Sequence, residues 1–209
     1  MKKILLTGFE PFGGARINPT ESIARQLHGM VIGGHEVVGL VLPCVFGQSI
    51  RVLRRHIRAV QPVMVICLGQ AGGRGAITPE RVAINVDDAR IADNAGAQPI
   101  DRPVVRGGPA AYFSTLPIKA MVSRLQAEGI AASVSASAGT FVCNHVFYGL
   151  MHALRDQAAI RGGFIHVPWL TKQGRPGLKL DTMIAGIVLV MEVATSRRRD
   201  IRIAGGHIH

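Results

Sequence analysis

What most constrains this chain is a regular exchange between short apolar runs and amphipathic segments of helical period. Ile4 to Thr7 is an apolar run closed by Gly8, the pattern of a buried strand. Asn18-Pro19-Thr20-Glu21 supplies helix-start chemistry, and Ile23 and Leu27 follow on one face. Val37 to Leu42 reads as a second strand, stopped by Pro43. Gln48 to Val60 reads as a helix, because Ile50, Leu53, Ile57 and Val60 recur at helical spacing while arginines and His56 fill the other face. Val63 to Leu68 is apolar almost throughout, which suits a strand covered on both sides.

The exchange continues further on. Arg81 to Val86 alternates, placing Val82, Ile84 and Val86 on one side of a half-buried strand. Asp87 to Leu116 is long, polar and rich in Gly and Pro, the kind of loop that serves function or partner contacts. Pro117 to Glu128 predicts a helix with Ile118, Val122 and Leu125 inward and Gly129 as its stop. Ala131 to Ser137 predicts a strand, about Asn144 to Asp156 a helix, and Gly163 to Val167 a strand ended by Pro168. Asp181 caps a last helix running to about Ser196. Strands that alternate with helices imply a three-layer α/β sandwich, with a largely parallel or mixed twisted sheet and helices on both faces. With no internal repeat or interior linker, residues 1–209 read as a single domain.

Composition narrows the function classes. Of 209 residues, 48% are hydrophobic and 18% charged, which supports a large buried core rather than disorder. The net charge of +11 raises the question of nucleic acid, but the basic residues are scattered and Arg197-Arg198-Arg199 is too short for a binding tail. No nucleic-acid partner is expected. Gly13-Gly14 and Gly72-Gly73 lack the spacing of phosphate-binding loops. The longest apolar stretch, Met183 to Met191, is far below the ~20 residues that span a bilayer. No membrane association is expected either. Cys44, Cys67 and Cys143, odd in number and without CxxC, suit a reducing cytoplasm better than a disulfide framework.

One of these thiols stands apart. Cys143 follows a glycine-containing turn and precedes a helix, where the positive end of the helix dipole lowers a thiol pKa and free N–H groups can hold an oxyanion. Local sequence equally allows a buried structural cysteine. Cys67, inside an apolar run, reads as a small hydrophobe, and Cys44 lies at a strand end. His166, at the end of a strand, is either a core residue or a base for Cys143 on the preceding turn. His145 and His152 are weaker candidates inside the helix. Glu80 is either the carboxylate that orients an imidazole or a surface partner of Arg81.

Four ordered blocks settle on a resemblance. They are Leu6 to Gly14 with Asn18-Pro19-Thr20, Leu68 to Arg74, Ile77 to Asn85 continuing through Asp88-Ala89-Arg90-Ile91 to Asp93-Asn94, and Ser137 to Asn144 with His166 after it. Across nearly its whole length the chain resembles the pyroglutamyl-peptidase family of cysteine peptidases. The resemblance implies a Glu80, Cys143, His166 triad and removal of an N-terminal 5-oxoproline through a thioester, with no metal and no organic cofactor. It also places Arg90 near the oxyanion, and a lactam pocket on Phe9, Phe12, Phe141 and Val142 with Asn18 and Gln70 as polar groups. It implies a homotetramer. A small planar lactam suits aromatic walls, and its N–H and C=O require fixed partners. Ala92 departs from the family's usual proline, and Arg102 to Pro109 and the basic tail are less typical.

Overall fold

A computed structural model describes residues 1–206. Its main sheet has six strands: β1 (Lys2–Phe9), β2 (Val31–Ile32), β3 (His35–Leu42), β4 (Met64–Gln70), β5 (Thr78–Pro79) and β8 (Arg161–Val167). Their order across the sheet is β2-β3-β1-β4-β8-β5. The four central strands run parallel, and the short edge strands β2 and β5 run antiparallel to their neighbours. Two further ribbons lie outside it. One pairs β6 (Val82–Ile84) with β7 (Ala111–Phe113), and the other pairs β9 (Trp169–Leu170) with β10 (Gly177–Leu178).

Both faces of the sheet are covered. Alternate residues of β1 divide between two cores, as the period of a strand dictates. Ile4 and Leu6 pack with residues of α1 (Pro19–Leu27), α3 (Ile118–Ala127) and α5 (Leu180–Ser196). Leu5 and Phe9 pack with residues of α2 (Gln48–Val60) and α4 (Val142–Leu154). The expected three-layer mixed α/β arrangement is therefore present. Among the described residues, no helix is long and apolar enough to cross a membrane.

Local chemistry explains most boundaries. Asn18 caps α1 by accepting from the Thr20 N–H, with Pro19 in the first turn. Gly129, at φ +72°, follows α3, and Ile130 N–H returns to Leu125 O at 2.9 Å. Four expectations change. Residues 131–137 form no strand, only bridges of Ala132 to Ile77 and of Ser135 to Glu80. The edge they meet is β5, where Pro79 has no N–H for a ladder. In β6 the buried residue is Ala83, packed in the α4 core, while Val82 and Ile84 are half-buried. Asp181 lies within the first turn of α5, and Lys179 at the cap position makes no side-chain capping bond. Finally, α4 begins at Val142, so Cys143 belongs to its first turn rather than preceding it.

Candidate active site

The site forms where the carboxyl ends of β4 and β8 meet the start of α4. Gly69 on β4 lies in register with His166 on β8. A Cβ at Gly69 would stand 2.8 Å from Cys143 Sγ and 2.7 Å from Phe164 Cζ, so the missing side chain is what admits the thiol. Phe164, two residues before His166, packs on the α4 side of the sheet. The imidazole therefore stands on the same face as the sulfur, one strand across.

Glu80 follows β5 and is fixed by its N–H to Phe164 O at 2.9 Å. It is fully buried, and its Oε1 meets His166 Nδ1 at 2.7 Å. The second oxygen, Oε2, has no hydrogen-bond partner among the described residues. A cation that the sequence did not single out completes the cluster. Arg74 Nη1 reaches the same Oε1 at 2.7 Å, whereas Arg81 turns away to Gly205 O. Nothing local to Arg74 signals this reach.

Burial dominates the electrostatics. It pushes the Cys143 thiol up to about 12, with Glu80 adding to the shift and Arg74 opposing it. Burial thus works against the depressed thiol pKa that a helix N-terminus favours. Burial also lowers His166, against the pull of Glu80. Burial thus favours the uncharged form of both groups. No hydrogen bond joins them among the described residues, and such bonds often tighten only when substrate binds. The cap residue of α4, Phe141, offers no side-chain acceptor, so N–H groups of the first turn stay open to an oxyanion. Cys67 is fully buried with its thiol raised to about 12, and Cys44 is buried and raised as well.

The remaining candidates take varied positions. Phe12 and Phe141 are half-buried with ring centroids 5.9 Å apart, and Phe46, missed in the sequence, meets Phe141 edge-on at 5.4 Å. Phe9 and Val142 lie in the core behind them. The Asn18 side chain is taken up by its Thr20 contacts and by donation to Glu10 O at 3.1 Å. Gln70, at the end of β4, accepts from Gln173 at 3.1 Å. Arg90 is exposed on a bend and has no ion pair among the described residues. His145 is held between Asp87 Oδ2 and Gly47 N–H, both at 2.8 Å, and His152 meets the Tyr112 hydroxyl.

A thiol on a helix N-terminus, facing an imidazole held by a buried carboxylate on an α/β sheet, defines the class of cysteine hydrolases. Comparison with known proteins narrows the class. The family model described as pyroglutamyl peptidase matches residues 2–197. Pyrrolidone-carboxylate peptidases of Bacillus cereus (strain Q1) and Erwinia tasmaniensis are each 56% identical, with the whole of both chains covered. Among solved structures, pyroglutamyl peptidase I of Bacillus amyloliquefaciens superposes with a TM-score of 0.94 at 47% identity, over 96% of this chain and 100% of that one. Pyrrolidone carboxyl peptidase of Thermococcus litoralis does so with 0.95 at 40% identity, over 98% and 100%. The chain belongs to the pyroglutamyl peptidase family.

Proposed function

We propose that the chain hydrolyses the bond after an N-terminal pyroglutamyl residue, with Cys143 as nucleophile, His166 as general base and acid, and Glu80 orienting the imidazole. One observation carries the residue assignment: the buried Glu80–His166 pair stands on the sheet face where Gly69 makes room for the Cys143 sulfur. Because thiol and imidazole are both neutral at rest, proton transfer accompanies attack. Sγ adds to the pyroglutamyl carbonyl as its proton passes to His166. The oxyanion is met by N–H groups of the first turn of α4, including that of Cys143. Imidazolium then protonates the leaving amine, which departs and leaves a thioester. Water, deprotonated by His166, adds to the thioester carbonyl; the C–S bond breaks, 5-oxoproline leaves, and the imidazolium returns its proton to Cys143 Sγ.

Phe12 and Phe141 supply aromatic faces for the flat ring, with Phe9 and Val142 supporting them from behind. Asn18 and Gln70 fix the adjoining polar segments, and Arg90 is free to meet the oxyanion region. The reading extends to single-domain chains assembled as a cytoplasmic homotetramer. Exposed Ile91, Ile100 and Phe113 on the long 87–116 segment offer apolar contact surface, and three free cysteines fit a reducing compartment.

The test is a pyroglutamyl-arylamide assayed beside a prolyl-arylamide, with thiol alkylation as control. Release from the pyroglutamyl substrate alone, abolished by alkylation, is the expected result. Similar rates on both substrates would rule out a lactam-specific pocket and point to a broader amidase.

A further inference from the structure

We infer that Arg74 is a positioning residue for the acyl-transfer reaction: one guanidinium fastens the carboxylate that holds the base to the turn that delivers the nucleophile. Nη1 lies 2.7 Å from Glu80 Oε1 and 2.7 Å from Thr78 Oγ1, and Nη2 lies 3.0 Å from Ser137 O. Ser137 opens the turn that runs into α4 and Cys143. The loop that presents Arg74 is itself tightly specified. Gly72 packs so closely on Trp169 that a Cβ there would fall 2.3 Å from Cε2, and Gly73 holds φ +84°.

The requirement for a cation follows from burial. Glu80 is fully buried, both of its donors share Oε1, and Oε2 has no partner among the described residues. A buried carboxylate needs a compensating charge, and a neutral imidazole supplies only a hydrogen bond. Arg74 supplies that charge whether His166 is neutral or protonated. Its planar fork also holds Glu80 and Thr78 from one nitrogen and Ser137 from another, a span that the single nitrogen of a lysine lacks.

The charged and titratable groups around His166 are Glu80 beyond β5, Arg74 from the β4–β5 loop and Cys143 on α4, with Cys67 on β4 acting on the thiol in turn. Arg74 opposes Glu80 on both reacting groups, lowering the imidazole and the thiol. An imidazolium held too firmly by its carboxylate would be slow to return its proton to the leaving amine. Arg74 weakens that hold while keeping the ring oriented.

This role rests on the triad proposed above, so the experiment separates the two. Arg74→Met, Arg74→Lys and Cys143→Ser would be compared with the parent full-length chain for kcat, KM and the pH dependence of kcat/KM on a pyroglutamyl-arylamide. Near-UV circular dichroism would check folding. Loss of an outer-shell group that orients a metal ligand typically costs about 10–100-fold in activity, and the same order is taken for an arginine that acts through Glu80. We expect that loss in kcat for Arg74→Met, with KM changed by less than about threefold and the acid limb moved to higher pH. Arg74→Lys should restore the limb but only part of kcat. A purely structural arginine would leave the limb in place. Parental kcat and limb in folded Arg74→Met would overturn the role, as would a loss of kcat with no movement of the limb. Should Arg74→Met not fold, Arg74→Lys decides: a fall in kcat with KM changed by less than about threefold supports the role of the fork, and parental kcat, or a loss carried by KM, overturns it. Turnover near the parental level in Cys143→Ser overturns the triad itself, while a nearly inert Cys143→Ser beside an unaffected Arg74→Met overturns Arg74 alone.

Discussion

His166 and His145 each bring Nδ1 to a buried carboxylate, at 2.7 Å from Glu80 and 2.8 Å from Asp87, yet the two pairs have different uses. The Nε2 of His145 accepts from Gly47 N–H at 2.8 Å, which fixes the neutral tautomer with its proton on Nδ1. Both nitrogens are committed, and the ring lies edge-on to Phe46 at 5.2 Å. The pair is a clasp between α4, the turn before α2 and the segment after β6. In His166 the far nitrogen has no partner among the described residues, and the sulfur of Cys143 stands on the same sheet face. The Glu80 carboxylate also has Arg74, whereas the Asp87 carboxylate has no arginine or lysine ion pair among the described residues. The same two functional groups thus make a clasp or a base according to what the second ring nitrogen meets.

Replacing each histidine gives the widest contrast. His166→Ala removes the general base, worth about 10²–10⁴-fold in rate, and should lose that much kcat while remaining folded. His145→Ala leaves the half-buried Gly47 N–H and the buried Asp87 carboxylate without their shared partner. It should cost about 1–3 kcal/mol of stability, with kcat retained below the melting transition. Arylamide turnover and denaturant unfolding of both variants measure the two effects. An inactive His145→Ala of parental stability would erase the distinction between clasp and base.

The carboxylates sharpen the contrast over a smaller range. Glu80→Gln can present an amide N–H to Nδ1 and so favour the wrong tautomer, which should lower kcat by about 10²-fold or more. Asp87→Asn keeps the size and one acceptor, and should act on stability alone, by about 1 kcal/mol. Equal kcat losses in the two variants would argue that neither carboxylate orients a base.

Much of this was legible beforehand, and the gaps have physical causes. The runs around Ile4, Val37, Met64 and Phe164 announce central strands because both sheet faces are covered. The helical spacing of Leu53 and Ile57 gave α2 its full length, Gln48–Val60. The start of α4 was not readable, because Phe141 is no conventional cap, and that same lack of a side-chain acceptor leaves donors open beside Cys143. Residues 131–137 have the composition of a strand, but Pro79 denies them a ladder. In the site, residue chemistry alone left Cys143, His166 and Glu80 each with two readings, and family resemblance chose between them. Arg74 escaped because its role depends on Ser137, far along the chain, and on a complete burial of Glu80 that sequence does not display. The thiol environment is hidden for a related reason: a helix N-terminus is visible in sequence, whereas loss of solvent is not.

The smallest effect, and the most specific, concerns pH. Burial lowers His166 from its ordinary 6.5, and Glu80 only partly offsets this. The free-enzyme acid limb of kcat/KM should therefore lie below pH 6.5, because the imidazole stays a neutral base under conditions that protonate an exposed histidine. Below pH 6.5 the unfolded chain takes up a proton at His166 that the folded chain resists, so the stability contribution is intact above 6.5 and declines as pH falls through the window beneath it. The sulfur behaves in the opposite sense. With Cys143 raised from 9.0 to about 12, the folded thiol keeps a proton that the unfolded one releases, and stability declines as pH rises beyond 9. Iodoacetamide alkylation of the resting enzyme should accordingly accelerate through an alkaline limb above 9. His145 makes the control: His145→Ala should leave both limbs in place, whereas His166→Ala should abolish the acid one. A rapid alkylation plateau already reached near neutrality would mean that Cys143 and His166 rest as an ion pair, and the neutral-pair mechanism would fall.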